Sequence, residues 1–98
     1  MALRRYEWSE AKAALNRRKH GVDFRDAIPA LEDPRRLEEV DDRFDYAEER
    51  VQVIGMSASR VLFVVATFLD EDQCRIISAR KATRDEQDRY YAGDGDEW

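Results

Sequence analysis

The stretch Arg50-Val-Gln-Val-Ile-Gly-Met-Ser-Ala-Ser-Arg-Val-Leu-Phe-Val-Val-Ala-Thr-Phe-Leu-Asp-Glu-Asp-Gln-Cys-Arg-Ile-Ile-Ser-Ala-Arg-Lys81 decides the fold, because it reads as three strands separated by two tight turns. From Arg50 to Met56, Val51 and Val53 alternate with Gln52 and Ile54, until Ser57-Ala-Ser59 breaks the pattern. Val61–Leu69 is apolar at both parities, which predicts a central strand covered on both faces. Asp70-Glu-Asp-Gln73 supplies the second turn and Cys74–Lys81 the third strand.

The flanks add helices. Upstream, Arg36–Val40 predicts a weaker strand, joined to Arg50 through the polar connection Asp41–Glu48. Leu3–Trp8 predicts a short first strand, and Ser9 an N-cap for a helix over residues 10–20. Glu10 suits the positive end of that helix, Lys19 and His20 the negative end, and Gly21 its left-handed stop. Ala11, Ala14 and Leu15 stand at i, i+3, i+4 and are expected to face the core. Asp23 caps a second short helix through Phe24, Ala27, Ile28 and Leu31, which Pro29 is expected to shorten or bend. Thr83-Arg-Asp-Glu86 is a capping box opening a last helix to about Tyr91. The predicted class is α+β, a small antiparallel meander sheet packed with about three helices. One domain over residues 1–91 and a flexible acidic tail over 92–98 are expected.

Composition excludes several classes. The longest apolar run, Val61–Ala66, has six residues, far short of the roughly 20 that span a bilayer. The N-terminus lacks the apolar core of a secretory signal, so a cytoplasmic protein without membrane attachment is expected. One cysteine and one histidine exclude an internal disulfide and the usual zinc clusters. Asp41/Asp42 and Asp70/Glu71/Asp72 lack calcium-loop spacing, so neither a metal nor another cofactor is expected. A net charge of −5 argues against broad nucleic-acid coating, yet the charge is segregated. Residues 1–20 carry +4 and residues 75–91 carry +2, around a middle of −8.

Three constellations carry chemistry. On the first helix, Lys12, Asn16, Lys19 and His20 fall within a narrow sector, a cationic face with one imidazole suited to phosphate chemistry or simply to solvation. Asp45-Tyr46-Ala47-Glu48-Glu49-Arg50 sets carboxylates beside a guanidinium, as an exposed ion pair or as a base next to a phosphate ligand. In Arg75-Ile-Ile-Ser-Ala-Arg80-Lys81, strict alternation puts Ile76, Ser78 and Arg80 on one face. Arg80 and Lys81 then diverge unless the strand ends or bulges between them.

Together these residues resemble a known family. Tyr6-x-Trp8-x(3)-Lys12-x(3)-Asn16-x(2)-Lys19-His20-Gly21-Val22-x-Phe24 is similar to the opening signature of the BrnT toxins of type II toxin–antitoxin pairs. Asp45-Tyr46-x-Glu48-x-Arg50 with Ile54-Gly55 resembles their middle motif, and Arg75-Ile-Ile-Ser-Ala-Arg80-x-Ala82-x(3)-Glu86 their closing one. Ser9 and Ala47 depart from the commoner Asp and Gly, at capping and turn positions. The resemblance implies a RelE-like fold and an endoribonuclease that arrests translation. It also implies a BrnA-type ribbon-helix-helix antitoxin, usually in a heterotetramer, with DNA met only through that antitoxin. Carried to this chain, it implies active-site places for Lys12, Lys19, His20, Glu48, Arg50 and Arg80. His20, Glu48, Arg50 and Arg80 are expected to be catalytic, and Lys12 and Lys19, with Lys81 of the basic strand end beside them, to contact RNA.

The chemistry expected is metal-independent cleavage by the RNA 2′-hydroxyl. Glu48 or His20 serves as base, and His20 as acid for the leaving oxygen. Arg50, Arg80 and Lys12 stabilise the phosphorane. The alternative is a non-catalytic binding module whose acidic middle docks a basic partner.

Overall fold

The structure is a computed structural model that describes residues 4–41 and 48–93. The apolar runs of the decisive stretch form β3 (Arg50–Ser57), β4 (Arg60–Asp70) and β5 (Gln73–Lys81). Before them come β1 (Arg5–Glu7), α1 (Glu10–His20), α2 (Phe24–Glu32) and β2 (Leu37–Asp41), and α3 (Arg84–Ala92) follows. The turn between β3 and β4 is only Ala58-Ser59, with Ala58 left-handed at φ 56°.

The sheet order is β1-β5-β4-β3-β2, and its topology corrects the expected antiparallel meander. Strands β2 to β5 are antiparallel to their neighbours, but β1 lies parallel to β5, pairing Arg5 with Gln73 and Glu7 with Arg75. The sheet is therefore mixed. A three-residue strand carries no information about direction, which is set here by the two helices that take the chain across the sheet to its far edge before β2 begins.

Both faces of the central strand are covered, as its composition required. On one face, Val22, Phe24, Ala27, Ala30 and Leu31 pack against Val53, Leu62, Val64, Cys74 and Ile76. On the other, Tyr90 of α3 closes over Leu37, Ile54, Val61 and Ala82. Helix α1 departs from the expected stripe. Ala11 and Leu15 are exposed and Ala14 half-buried, whereas Ala13 and Asn16 are buried. Its packing rests on a small residue and a polar anchor instead of an apolar ridge.

Local signals set the helix ends. Ser9 Oγ accepts from the Lys12 amide at 3.2 Å, and left-handed Gly21 donates to Arg17 O at 2.8 Å. Asp23 caps α2, which continues through Pro29 to its full nine residues. The capping box of α3 forms in full, and the helix includes Ala92 before ending at Gly93. Residues 94–98 of the expected tail, and Asp45, Tyr46 and Ala47 of the middle motif, lie outside the described residues. Among the described residues, no helix is long and apolar enough to cross a membrane.

Two contacts lock the layers. Gly55 of β3 runs directly beneath α2, where a Cβ would stand 2.2 Å from the Ala30 carbonyl oxygen. Gly55→Ala is expected to destabilise the fold by about 1–3 kcal/mol through overpacking, read by urea unfolding. On the other face, Tyr90 donates a short hydrogen bond to Asp33, whose Oδ2 also accepts from the Met56 amide at 2.8 Å. Burial raises the Asp33 carboxyl, but the donors Tyr90, Arg35 N and Met56 N hold it below the usual carboxylate range. Burial, then the bond to Asp33, push the Tyr90 phenol up to about 12. A folded-state value raised above the unfolded one stabilises fully below about pH 10 and is lost as pH rises toward 12. Tyr90→Phe is therefore expected to flatten the loss of stability above about pH 10. Urea unfolding at pH steps checks this, with the slope that remains coming from Tyr6, also raised to about 12.

Candidate active site

The site begins where β1 stops. Its last residue, Glu7, is paired with Arg75, so beyond that point β5 is an edge strand. Asn16 of α1 takes over the role of a neighbour there. Its Oδ1 accepts from the Ala79 amide at 3.1 Å, and its Nδ2 donates to the carbonyls of Ala79 at 2.8 Å and Val22 at 2.9 Å. One buried amide thus satisfies both backbone groups of a strand residue. This corrects the placing of Asn16 on the solvated cationic face: it is 6% exposed and structural.

Anchored in this way, α1 roofs a cavity of about 220 Å³ lined by Lys12, Leu15, Asn16, Lys19, His20, Ile77 and Ser78. The sector predicted for Lys12, Lys19 and His20 is real. Successive steps of three or four residues keep all three on the side that looks over the β5 edge. Among the described residues, no carboxylate forms an ion pair with Lys12, Lys19 or Lys81. Arg17, Arg18, Lys19 and His20 together occupy the last turn, where cations meet the negative helix end.

A bulge changes the faces of β5. Val65 pairs with Ser78 but Ala66 with Ile76, so Ile77 is an extra residue in the ladder. Cys74 and Ile76 point into the core before it, and Ala79 after it. Ile76 therefore does not share a face with Ser78 and Arg80, which corrects the alternation expected from the sequence. The bulge precedes both cations at the strand end, so Arg80 and Lys81 still diverge. Lys81, opposite Leu62, is exposed.

The remaining predicted residues lie apart from the cavity. Arg80 stands 4.1 Å from the centre of the Phe63 ring, and its Nη1 and Nη2 reach Glu86 at 2.9 and 3.0 Å. Burial raises the Glu86 carboxyl, but Arg80 and the Thr83 cap hold it below its ordinary value. Arg50 opens β3 opposite Asp41 at its end of the sheet. Glu48, just before β3, meets a cation of β5, Arg75, whose Nη1 donates to its Oε1 at 3.1 Å. The Arg75 Nε donates to Glu7 at 2.9 Å, and Glu7 also accepts from Gln73 at 2.7 Å. These donors hold Glu7 below the usual carboxylate range.

Glu7, Arg75 and Ser78 were therefore missed as site neighbours, because only the parallel β1–β5 pairing and the bulge bring them there. A larger cavity, about 580 Å³ between Arg4, Glu32, Asp70, Glu71 and Asp72, is lined mainly by carboxylates and repels anions. Among the described residues, no three His, Cys, Asp or Glu side chains are grouped to hold a metal ion.

The family described as ribonuclease toxin, BrnT, of type II toxin–antitoxin system matches residues 8–86, from the first motif through Glu86. The chain belongs to the BrnT family. Its fold is also similar to the crystal structure of the Brucella abortus ribonuclease toxin BrnT, with a TM-score of 0.60 and 25% identity. That likeness covers 83% of this chain and 99% of the Brucella chain. No curated protein matches the sequence. Within this BrnT chain, Asn16 secures the helix that carries the cationic residues. Asn16→Ala leaves the Ala79 and Val22 groups without their partner, and a loss of about 1–3 kcal/mol is expected in urea unfolding.

Proposed function

We propose that this BrnT chain is the toxin of a type II pair, a single RelE-like domain over residues 1–91 that cleaves RNA internally and so inhibits translation. The observation that carries this is the cavity at the free edge of β5, where Lys12, Lys19 and His20 converge beside Ser78. Lys12 and Lys19, continued by Lys81 at the strand end, suit a phosphate backbone. An RNA strand crossing the β5 edge meets these cations on the α1 side, and Glu48, Arg50 and Arg80 on the other.

RNA supplies its own nucleophile, so the site needs proton carriers and cations. Glu48 takes the proton of the 2′-hydroxyl as its oxygen attacks phosphorus. Arg50 and Arg80 stabilise the charge on the phosphorane, Arg80 by exchanging the Glu86 carboxylate for phosphate oxygens. The bond to the 5′-oxygen breaks, and His20 protonates that oxygen, leaving a 2′,3′-cyclic phosphate and a 5′-hydroxyl. Charge stabilisation and proton transfer are thus assigned to side chains, and cleavage is metal-independent. The partner is a BrnA-type ribbon-helix-helix antitoxin in a heterotetramer, through which alone DNA is met. Exposed Glu38, Glu39 and Val40 on the outer strand β2 offer that partner an acidic sheet edge.

The test is cleavage of a labelled RNA by the purified chain in EDTA. Products with cyclic-phosphate ends and resistance of a 2′-deoxy substitution at the scissile position are expected. His20→Ala and Glu48→Ala are each expected to slow cleavage by about 10²–10⁴-fold. Full cleavage by His20→Ala, Glu48→Ala and Arg80→Ala alike would refute the site, and loss of cleavage in EDTA would refute metal independence.

A further inference from the structure

The Glu7–Arg75–Glu48 bridge lies on the sheet face opposite α1 and α2. Cys74 and Ile76, on either side of Arg75 in sequence, are buried in the helix-covered core, so Arg75 points the other way. Its strand partner across the sheet is Thr67, itself 3% exposed. Arg75 is divided between two carboxylates from different parts of the chain. Its Nε is committed to Glu7 of β1 at 2.9 Å, and its Nη1 to Glu48 at 3.1 and 3.5 Å. The first bond is built on rigid ground, because Glu7 and Arg75 are register partners and Gln73 grips the other Glu7 oxygen at 2.7 Å. The second reaches out to a residue that precedes β3 and belongs to no strand or helix.

This asymmetry has a direction. Glu7 and Gln73 fix the guanidinium plane, and the fixed guanidinium fixes Glu48. Two carboxylates on one cation leave that trio with a net charge of −1, so removing Arg75 replaces an attraction by a repulsion between Glu7 and Glu48. All three side chains remain about two-fifths exposed, at 42% for Arg75, 39% for Glu7 and 37% for Glu48. Pairs this open to water add little to stability, and the bridge stays accessible to a ligand. Among the described residues, Arg75 Nη2 makes no hydrogen bond.

We infer that Arg75 is a positioning residue, which holds the Glu48 carboxylate on the β5 surface for its work as a base, with Glu7 and Gln73 as its support. The inference rests on the ribonuclease function proposed above. Arg75 differs from the other arginine of β5, Arg80, in what it serves: Arg80 answers a carboxylate that caps α3, whereas Arg75 answers one that abstracts a proton.

A double-mutant cycle on RNA cleavage tests it, with kcat and KM measured for the wild-type chain, Arg75→Gln, Glu48→Ala and the pair together. Arg75→Gln is expected to lower kcat by about 10–100-fold with KM changed less than about threefold, as misplacement of a catalytic group does. Combined with Glu48→Ala, it is expected to add less than about a threefold further loss, because a positioned group that is absent cannot be displaced. Arg75→Lys, which keeps a cation but loses the fork, is expected to fall between wild type and Arg75→Gln. Wild-type kcat in Arg75→Gln, or a double variant slowed by the product of the two single losses, would overturn the positioning role alone. Complete inactivity of the wild-type chain on RNA would overturn the ribonuclease function and the positioning role with it. Urea midpoints of the single variants close to wild type are expected, and a collapse of the midpoint in both Arg75→Gln and Arg75→Lys would mark a structural residue instead.

Discussion

The three hydrogen bonds of the Asn16 amide are the constraint on which the rest of the site depends. β1 is too short to pair β5 along its length, and a strand edge left bare exposes donors and acceptors that attract other chains. Asn16 closes that edge at Ala79 with a side chain rather than with another strand. A side chain occupies less of the edge than a strand does. The space left beside it is the cavity over Ile77 and Ser78, into which the same helix turns Lys12, Lys19 and His20. A polar residue buried in α1 and cations exposed on it are thus two results of a single contact.

Charge is handled in opposite ways on the two sides of β5. On the α1 side, the lysines have no carboxylate partners among the described residues and keep their field directed outward. On the other side, Arg75 and Arg80 are each tied to carboxylates, which fixes their forks in place and screens their charge. A chain with a net charge of −5 can therefore present a locally cationic edge without becoming a general polyanion binder.

Much of this was legible in the sequence, and what was not has a physical cause. The two-sided apolarity of Val61–Leu69, the Ser9 and Thr83 caps and the Gly21 stop all act within a turn of helix or a strand's own alternation, and all appear where expected. The convergence of Lys12, Lys19 and His20 followed from helical periodicity alone. The errors arose where distant segments decide the outcome. Ala11 and Leu15 matched a core spacing, yet the helix is rotated by the hydrogen bonds of Asn16, which no hydrophobic pattern contains. The parity of Ser78 and Arg80 depended on one extra residue opposite β4. The partner of Glu48 was sought two residues away at Arg50 and found 27 residues away at Arg75. Sequence proximity favours the near cation, but sheet register chooses the one that is reached.

The parallel pairing of β1 with β5 also bears on the order of events in synthesis. Arg5 meets Gln73 and Glu7 meets Arg75, so this contact closes a loop of most of the chain. Hairpins between β2 and β5 form from neighbouring segments, whereas the N-terminal strand must wait until the last one has left the ribosome. The bridge from Glu7 through Arg75 to Glu48 is completed by the same late event. Until the chain has been made through Arg75, Glu7 and Glu48 lack the cation they share, so the carboxylates of this bridge emerge well before the group that joins them.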